Sequence, residues 1–125
     1  MMDSAVFTEE MFKVDAAIRY IGVATNDYQV LSSVQRVGVP SLTSEETSRN
    51  FISIAPEIIC EAVEKLSPFL GKVEGVTAHY EKALVVLYRI ENLIVVISLQ
   101  PGVETPFFNK LTAAFKEISA RYLRA

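Results

Sequence analysis

His79 is the only histidine and Cys60 the only cysteine of this chain, so Ser–His, Cys–His or thiolate chemistry would have to use them. His79 stands in Ala78-His79-Tyr80-Glu81, at the expected end of a strand, with no accompanying partner motif. A surface histidine is the plainer account. Cys60 falls within a long helical pattern, with nothing basic enough nearby in the sequence to favour a thiolate. A metal centre would need Cys60, His79 and carboxylates to converge, and no ligand spacing suggests it. Gly71 and Gly75 lack the Lys-Ser/Thr that phosphate cradling requires, and no G-x-G-x-x-G occurs. Glu45 and Glu46 are adjacent, and adjacent residues on a helix do not face each other, which places them poorly for shared acid–base work. No catalytic residue, cofactor or metal is expected, and the chain does not read as an enzyme.

The stretch RVGVPSLTSEETSRNF, Arg36 to Phe51, looks most like a site, because it gathers hydroxyls and carboxylates around a Gly and a Pro. Each of these has a structural task. Gly38 and Pro40 end a strand, since Pro cannot donate to a ladder and Gly permits a sharp turn. Thr43 to Glu46 reads as a capping box. The Thr43 hydroxyl would accept from the Glu46 N–H, and the Glu46 carboxylate would reach back. The segment is expected to be a joint between strand and helix.

The bulk of the sequence narrows the classes further. At 125 residues it is one domain's length, residues 1 to 125, able to bury a single core. Half the residues are apolar and 22% charged, which is globular composition. The net charge is −3, and no cluster of three or more Lys/Arg offers phosphates a basic patch, so nucleic acid is not an expected partner. The longest uncharged apolar run, Asn92 to Val103, falls short of the about 20 residues a membrane span needs. A start without a signal-peptide pattern and a single cysteine point to a soluble protein of the cytoplasm.

Periodicity supplies the elements. Ser4 to Val14 suits a short helix, with Phe7, Met11 and Val14 on one face and Ser4 or Thr8 as its cap. Ala16 to Thr25 reads as a strand, Asn26-Asp27 as a tight turn tolerating positive φ, and Tyr28 to Val37 as the returning strand. A long helix follows, carrying Phe51, Ala55, Ile58, Ala62 and Leu66 at helical spacing, with a kink expected at Pro56. Three strands succeed it: a polar edge around Lys72–Tyr80, a second over Ala83–Ile90, and a third, Leu93–Leu99, apolar on both faces as a central strand should be. Thr105-Pro106 opens a final helix whose stripe is Phe107, Phe108, Leu111, Phe115, Ile118 and Tyr122. The order α-β-β-α-β-β-β-α predicts an α+β fold, a five-stranded antiparallel sheet flanked by helices.

That order resembles roadblock/LC7 domains, with longin and profilin-like domains as relatives in shape. The segments IRYIGVATNDYQVLSSVQRVGVPSLTSEE and VTAHYEKALVVLYRIENLIVVISL are also similar to a group of small archaeal proteins of roadblock-like architecture. The resemblance covers nearly the whole chain. It lies in element order and texture, and Asn26-Asp27 stands where the family usually turns on a glycine. It implies a homodimer that regulates or scaffolds a small GTPase, or serves a larger machine, with no catalytic residues to carry over. The alternative is a small-ligand sensor of PAS/GAF-like or profilin-like type, with Tyr20, Tyr28, Tyr80 and Tyr88 lining a pocket.

The long helix offers a dimer surface of its own. Its apolar arc spans roughly 180° at about 100° per residue, against roughly 120° for the final helix. One sheet face covers the wider arc poorly, so part of it should be exposed and self-associating. The candidate interface residues are Phe51, Ile52, Ile54, Ile58, Ile59 and Val63, flanked by the polar edge strand.

Overall fold

The structure, a computed structural model, describes residues 2–124. Helix α1 (Ser4–Phe12) precedes strands β1 (Ile18–Thr25) and β2 (Val30–Gln35). Helix α2 (Glu45–Glu57) continues through a π turn at Ile58–Ala62 and a 3₁₀ turn at Val63–Leu66 into the short α3 (Ser67–Leu70). Strands β3 (Gly75–His79), β4 (Leu84–Ile90) and β5 (Leu93–Leu99) lead to α4 (Thr105–Tyr122). The five strands form one sheet in the order β2-β1-β5-β4-β3, and every pairing is antiparallel. This is the α+β architecture that the periodicity predicts.

Two apolar layers follow from strand alternation, because successive side chains leave opposite faces. On one face Ile21, Val23, Val86, Val95 and Ile97 pack against α1 and α4 through Phe7, Met11, Leu111 and Phe115. On the other, Ala24, Leu87, Ile94 and Val96 meet Ile52, Ala55 and Ile59 of the α2 run. Strand β5 is buried on both faces in the middle of the sheet, and β3 is an edge, as expected. Helix α2 seats where β1 has no side chain. A Cβ on Gly22 would lie 2.4 Å from Ile52 Cδ1.

Several local expectations are corrected. The α1 cap is Asp3, whose Oδ1 accepts from the Val6 N–H at 3.1 Å; Thr8 instead donates to the Ser4 carbonyl. In the first hairpin the positive φ falls on Tyr28, at 70°, and not on Asn26 or Asp27. The returning strand begins only at Val30 and bulges at Leu31, where the register jumps from Val23↔Ser32 to Ala24↔Val30. Its alternation is therefore broken once, which no regular period anticipates. Helix α4 begins at Thr105 with Glu104 in the cap position and no side-chain cap bond, so Thr105 is its first residue and not its cap.

Helix α2 is capped by Ser44, one residue after the expected Thr43. Ser44 Oγ accepts from the Thr47 N–H at 3.1 Å, while Thr43 Oγ1 bonds the Ser48 hydroxyl. Two neighbouring hydroxyls each have a plausible partner three residues on, so the spacing rule fits both registers. Accordingly Ser44→Ala should cost about 1 kcal/mol in chemical denaturation. Thr43→Ala should cost clearly less, since its only bond is to an exposed hydroxyl.

Pro56 removes a donor from the α2 ladder, and within two residues the helix changes pitch to π and then 3₁₀. The helical run stays continuous until Gly71 at φ 91° ends it.

The Arg36 side chain anchors the strand-to-helix joint. Its Nε donates to the Ile18 carbonyl at 2.6 Å, and its Nη2 to those of Phe12 and Asp15 at 2.6 and 2.7 Å. The guanidinium also lies 5.0 Å from the Phe12 ring centroid. Beside it, the Ala17 N–H and then Lys110 hold the Asp15 carboxyl below the ordinary carboxylate value. A lowered folded value stabilises above the unfolded pKa and is lost as pH falls through the folded one. Asp15→Asn should therefore narrow the fall in Tm between pH 6 and pH 3 relative to wild type.

Candidate interaction surface and an adjoining cleft

The apolar arc of the α2 run divides on the sheet. Ile52 and Ile59 are fully buried against β1 and β5, so these two candidate interface residues belong to the core and are corrected as such. Phe51 and Val63 are half-buried. Ile54 and Ile58 form the outward margin, 54% and 38% exposed. The exposed apolar line resumes at Leu66 and ends on Phe69 and Leu70, which are 83% and 77% exposed. The handedness of this division comes from the seat of Ile52 over Gly22, which turns Ile54 away from the sheet.

Strand β3 forms one edge of the sheet, with β4 as its only sheet neighbour. Val76 and Ala78 share a face with Leu87 and Val85 on the α2 side, while Thr77 and His79 alternate to the other side. The strand's outer row of backbone donors and acceptors faces no other strand.

Next to the N-terminal half of α2 lies a cleft of about 590 Å³. Phe51 and Ile52 form its helical wall, Tyr20, Val85 and Val96 its floor on the sheet, and the turn Tyr80–Ala83 its far side. Ser41, Leu42 and Thr43 close one end, so the joint that begins at Arg36 also walls a cavity. Burial pushes the Tyr20 hydroxyl pKa up, opposed by its bond to Ser33.

The four tyrosines considered for a pocket do not converge. Tyr20 and Tyr80 line the cleft, and Tyr28 is exposed in the first turn. Tyr88 lies on the opposite face, stacked 4.4 Å from Phe115 with its hydroxyl bonded to Thr112.

The residues with chemical potential are also dispersed. His79 is exposed at the end of β3, and Glu45 and Glu46 are exposed at the start of α2. Cys60 is half-buried in the π turn, where Arg89 Nη1 approaches its sulfur to 3.9 Å. That neighbour sits far along the chain, which is why local sequence did not reveal it. Arg89 is shared with Glu64 in an ion pair. Among the described residues no group of three or more His, Cys, Asp or Glu could hold a metal, and no helix is long and apolar enough to cross a membrane.

No protein-family model matches the sequence, and no curated protein matches it either. Solved structures do. An MglB structure described as having a tetrameric arrangement superposes with a TM-score of 0.70 at 15% identity, covering 94% of this chain and 83% of the other. The gliding protein MglB from Thermus thermophilus gives 0.64 at 14% identity, over 94% of this chain and 89% of that one. A Roadblock/LC7 domain from Streptomyces avermitilis gives 0.69 at 9% identity, with 98% of each chain covered. Identities this low speak to architecture alone, and on that architecture the chain has the roadblock/LC7 fold.

Proposed function

We propose that this chain is a non-enzymatic, homodimeric interaction module of the cytoplasm that scaffolds or regulates a small GTPase. The observations that carry the reading are the exposed apolar margin Ile54–Ile58 and the unpaired edge of β3. A contiguous apolar margin marks an interface, and an open strand edge is a template for pairing. A two-fold axis would cover both at once, burying like surface on like surface. The structural likeness to MglB proteins and to a roadblock/LC7 domain supports a role exercised through surfaces. The GTPase as partner follows from the resemblance in element order.

Light scattering coupled to gel filtration tests the first half, and a dimer mass is expected. For the second half, a purified small GTPase from the same cell is titrated with the chain by calorimetry, in its GDP and GTP-analogue forms. Binding that depends on the nucleotide supports the regulator. A chain that stays monomeric at high concentration defeats the reading.

The cleft beside α2 favours a second reading, the small-ligand sensor. A thermal-shift screen against nucleotides and metabolites separates the two, because a ligand at a hundredfold excess over Kd adds about 2.7 kcal/mol.

A further inference from the structure

We propose that the cleft beside α2 binds a free medium-chain alkyl carboxylate. Arg19, Ser98 and Lys82 hold its head, and its tail lies along the apolar floor. The proposal rests on the small-ligand reading and adds the chemical class of the ligand and the groups that select it.

The head site follows from an irregularity in β1. Its register with β5 shifts between Ile18, which pairs with Leu99, and Tyr20, which pairs with Ser98. Ile18 packs on the α1–α4 face and Tyr20 on the α2 face, where regular alternation would put both on one. Arg19, between them, lines the cleft together with Tyr20. On the other side of β5, Ser98 pairs with Val85 and Leu99 with Leu84, so Lys82 stands at the same end of the sheet. Two strand spacings, about 10 Å, separate β1 from β4, with Ser98 on the strand between. Long cationic side chains from either side reach one anion over that middle strand.

Bonding around the rim leaves these three groups free. Thr43 is bonded to Ser48, Thr47 to Ser44, Tyr20 to Ser33, and Gln35 to the Val39 carbonyl. Arg19 donates from one Nη to the Pro40 carbonyl at 2.7 Å, and its other N–H groups have no acceptor among the described residues. Lys82 and the Ser98 hydroxyl line the cleft and likewise find no side-chain partner among them.

The charge around the cleft names the head. Arg19 and Lys82 face a single lining carboxylate, Glu81, while Glu45 and Arg49 nearby offset each other at 4.0 Å. An excess of one positive charge suits a carboxylate better than a phosphate dianion, and a guanidinium fork matches its two oxygens. Leu42, Phe51, Ile52, Val85 and Val96 supply apolar surface for the tail. At about 590 Å³ the cavity has the size that encloses a small ligand. The chain's net charge of −3 opposes an anionic bilayer, which favours a free acid over a membrane lipid.

Calorimetry with monomeric sodium decanoate tests this. One decanoate per chain is expected, binding at least about tenfold tighter than decan-1-ol, since the alcohol forgoes the charge-assisted bonds. From hexanoate to decanoate each added CH₂ should tighten binding about fourfold, as for full burial. Lys82→Gln should weaken decanoate about tenfold and leave decan-1-ol unchanged. Val85→Phe, which fills the floor, should abolish both. Lys82 lies in an exposed turn, so its variant alone decides the matter if Val85→Phe loses its fold. Equal affinity for acid and alcohol overturns the proposal, as does decanoate binding that neither variant affects. Capture by phosphatidylglycerol vesicles that Val85→Phe abolishes would make the occupant a membrane lipid and overturn it too. Should decanoate fail while another metabolite binds and is lost in Val85→Phe, the carboxylate falls and the sensor reading stands. If nothing binds, both fall.

Discussion

Ile54→Glu will leave the protomer folded and abolish its self-association. Ile54 is more than half exposed on the outward margin of α2, so the protomer loses little packing. In a two-fold interface the change occurs twice. Two half-exposed isoleucine side chains leave apolar contact, on the order of 1.5–3 kcal/mol together, and two carboxylates are driven toward each other. The apolar loss alone weakens the dimer by roughly tenfold or more at the low end of the range, and the paired carboxylates add to it. Light scattering should report a monomer and far-UV circular dichroism an unchanged helix content. The contrast is Ile52→Glu, two residues earlier and fully buried over Gly22, which should yield no folded protein because an unpaired charge enters the core. Two variants of one helix that behaved alike would remove the distinction between margins on which the dimer reading depends.

The second large effect is expected at Arg36. Three backbone carbonyls, from Phe12, Asp15 and Ile18, are gathered by one guanidinium. A lysine keeps the charge but presents a single ammonium on a flexible stem, which does not reproduce a planar fork reaching several acceptors. Arg36→Lys should therefore cost about 2–3 kcal/mol through carbonyls left unpaired and partly covered. For a chain of this size that lowers Tm by roughly 6–15 °C. A shift within 2 °C would mean that water satisfies those carbonyls and that Arg36 is incidental. Partner binding at folded temperatures should persist, since none of the three contacts touches the α2 margin.

These predictions also mark how far the sequence could be read. Element order was legible because the breakers are strong: Gly38 with Pro40, Gly71 after the helical run, and Glu91-Asn92 between β4 and β5. Burial of β5 on both faces was legible from the apolar run Leu93–Ile97. The cap at Ser44 was not, because Thr43 and Ser44 satisfy the same spacing rule one residue apart. The outward margin of α2 was not legible either. Periodicity gives the width of an apolar arc but not its rotation about the helix axis, which is set by the approach of Ile52 to Gly22 across the sheet. The cleft was hidden for a different reason: Tyr20, Phe51 and Lys82 come together only through topology. Arg36 looked like one member of a polar loop, since its acceptors are backbone atoms that carry no signature in side-chain type.

The neighbour relation of β1 and β5 sets a schedule for the making of the molecule. Ile21 lies opposite Ile97, and Val23 opposite Val95, so the central pairing of the sheet joins two ends of the sequence. Contacts this distant delay folding toward the millisecond-to-second range, because the loop must close before the pairing rewards it. At a ribosome adding about 5–20 residues per second, the first hairpin emerges roughly several seconds before its partner strand exists. Through that interval Ile21 and Val23 have no sheet neighbour on one side and no α4 above them. A nascent chain halted after Ile90 would hold every strand but the one that unites them, and its two halves would be candidates for chaperone capture rather than for folding.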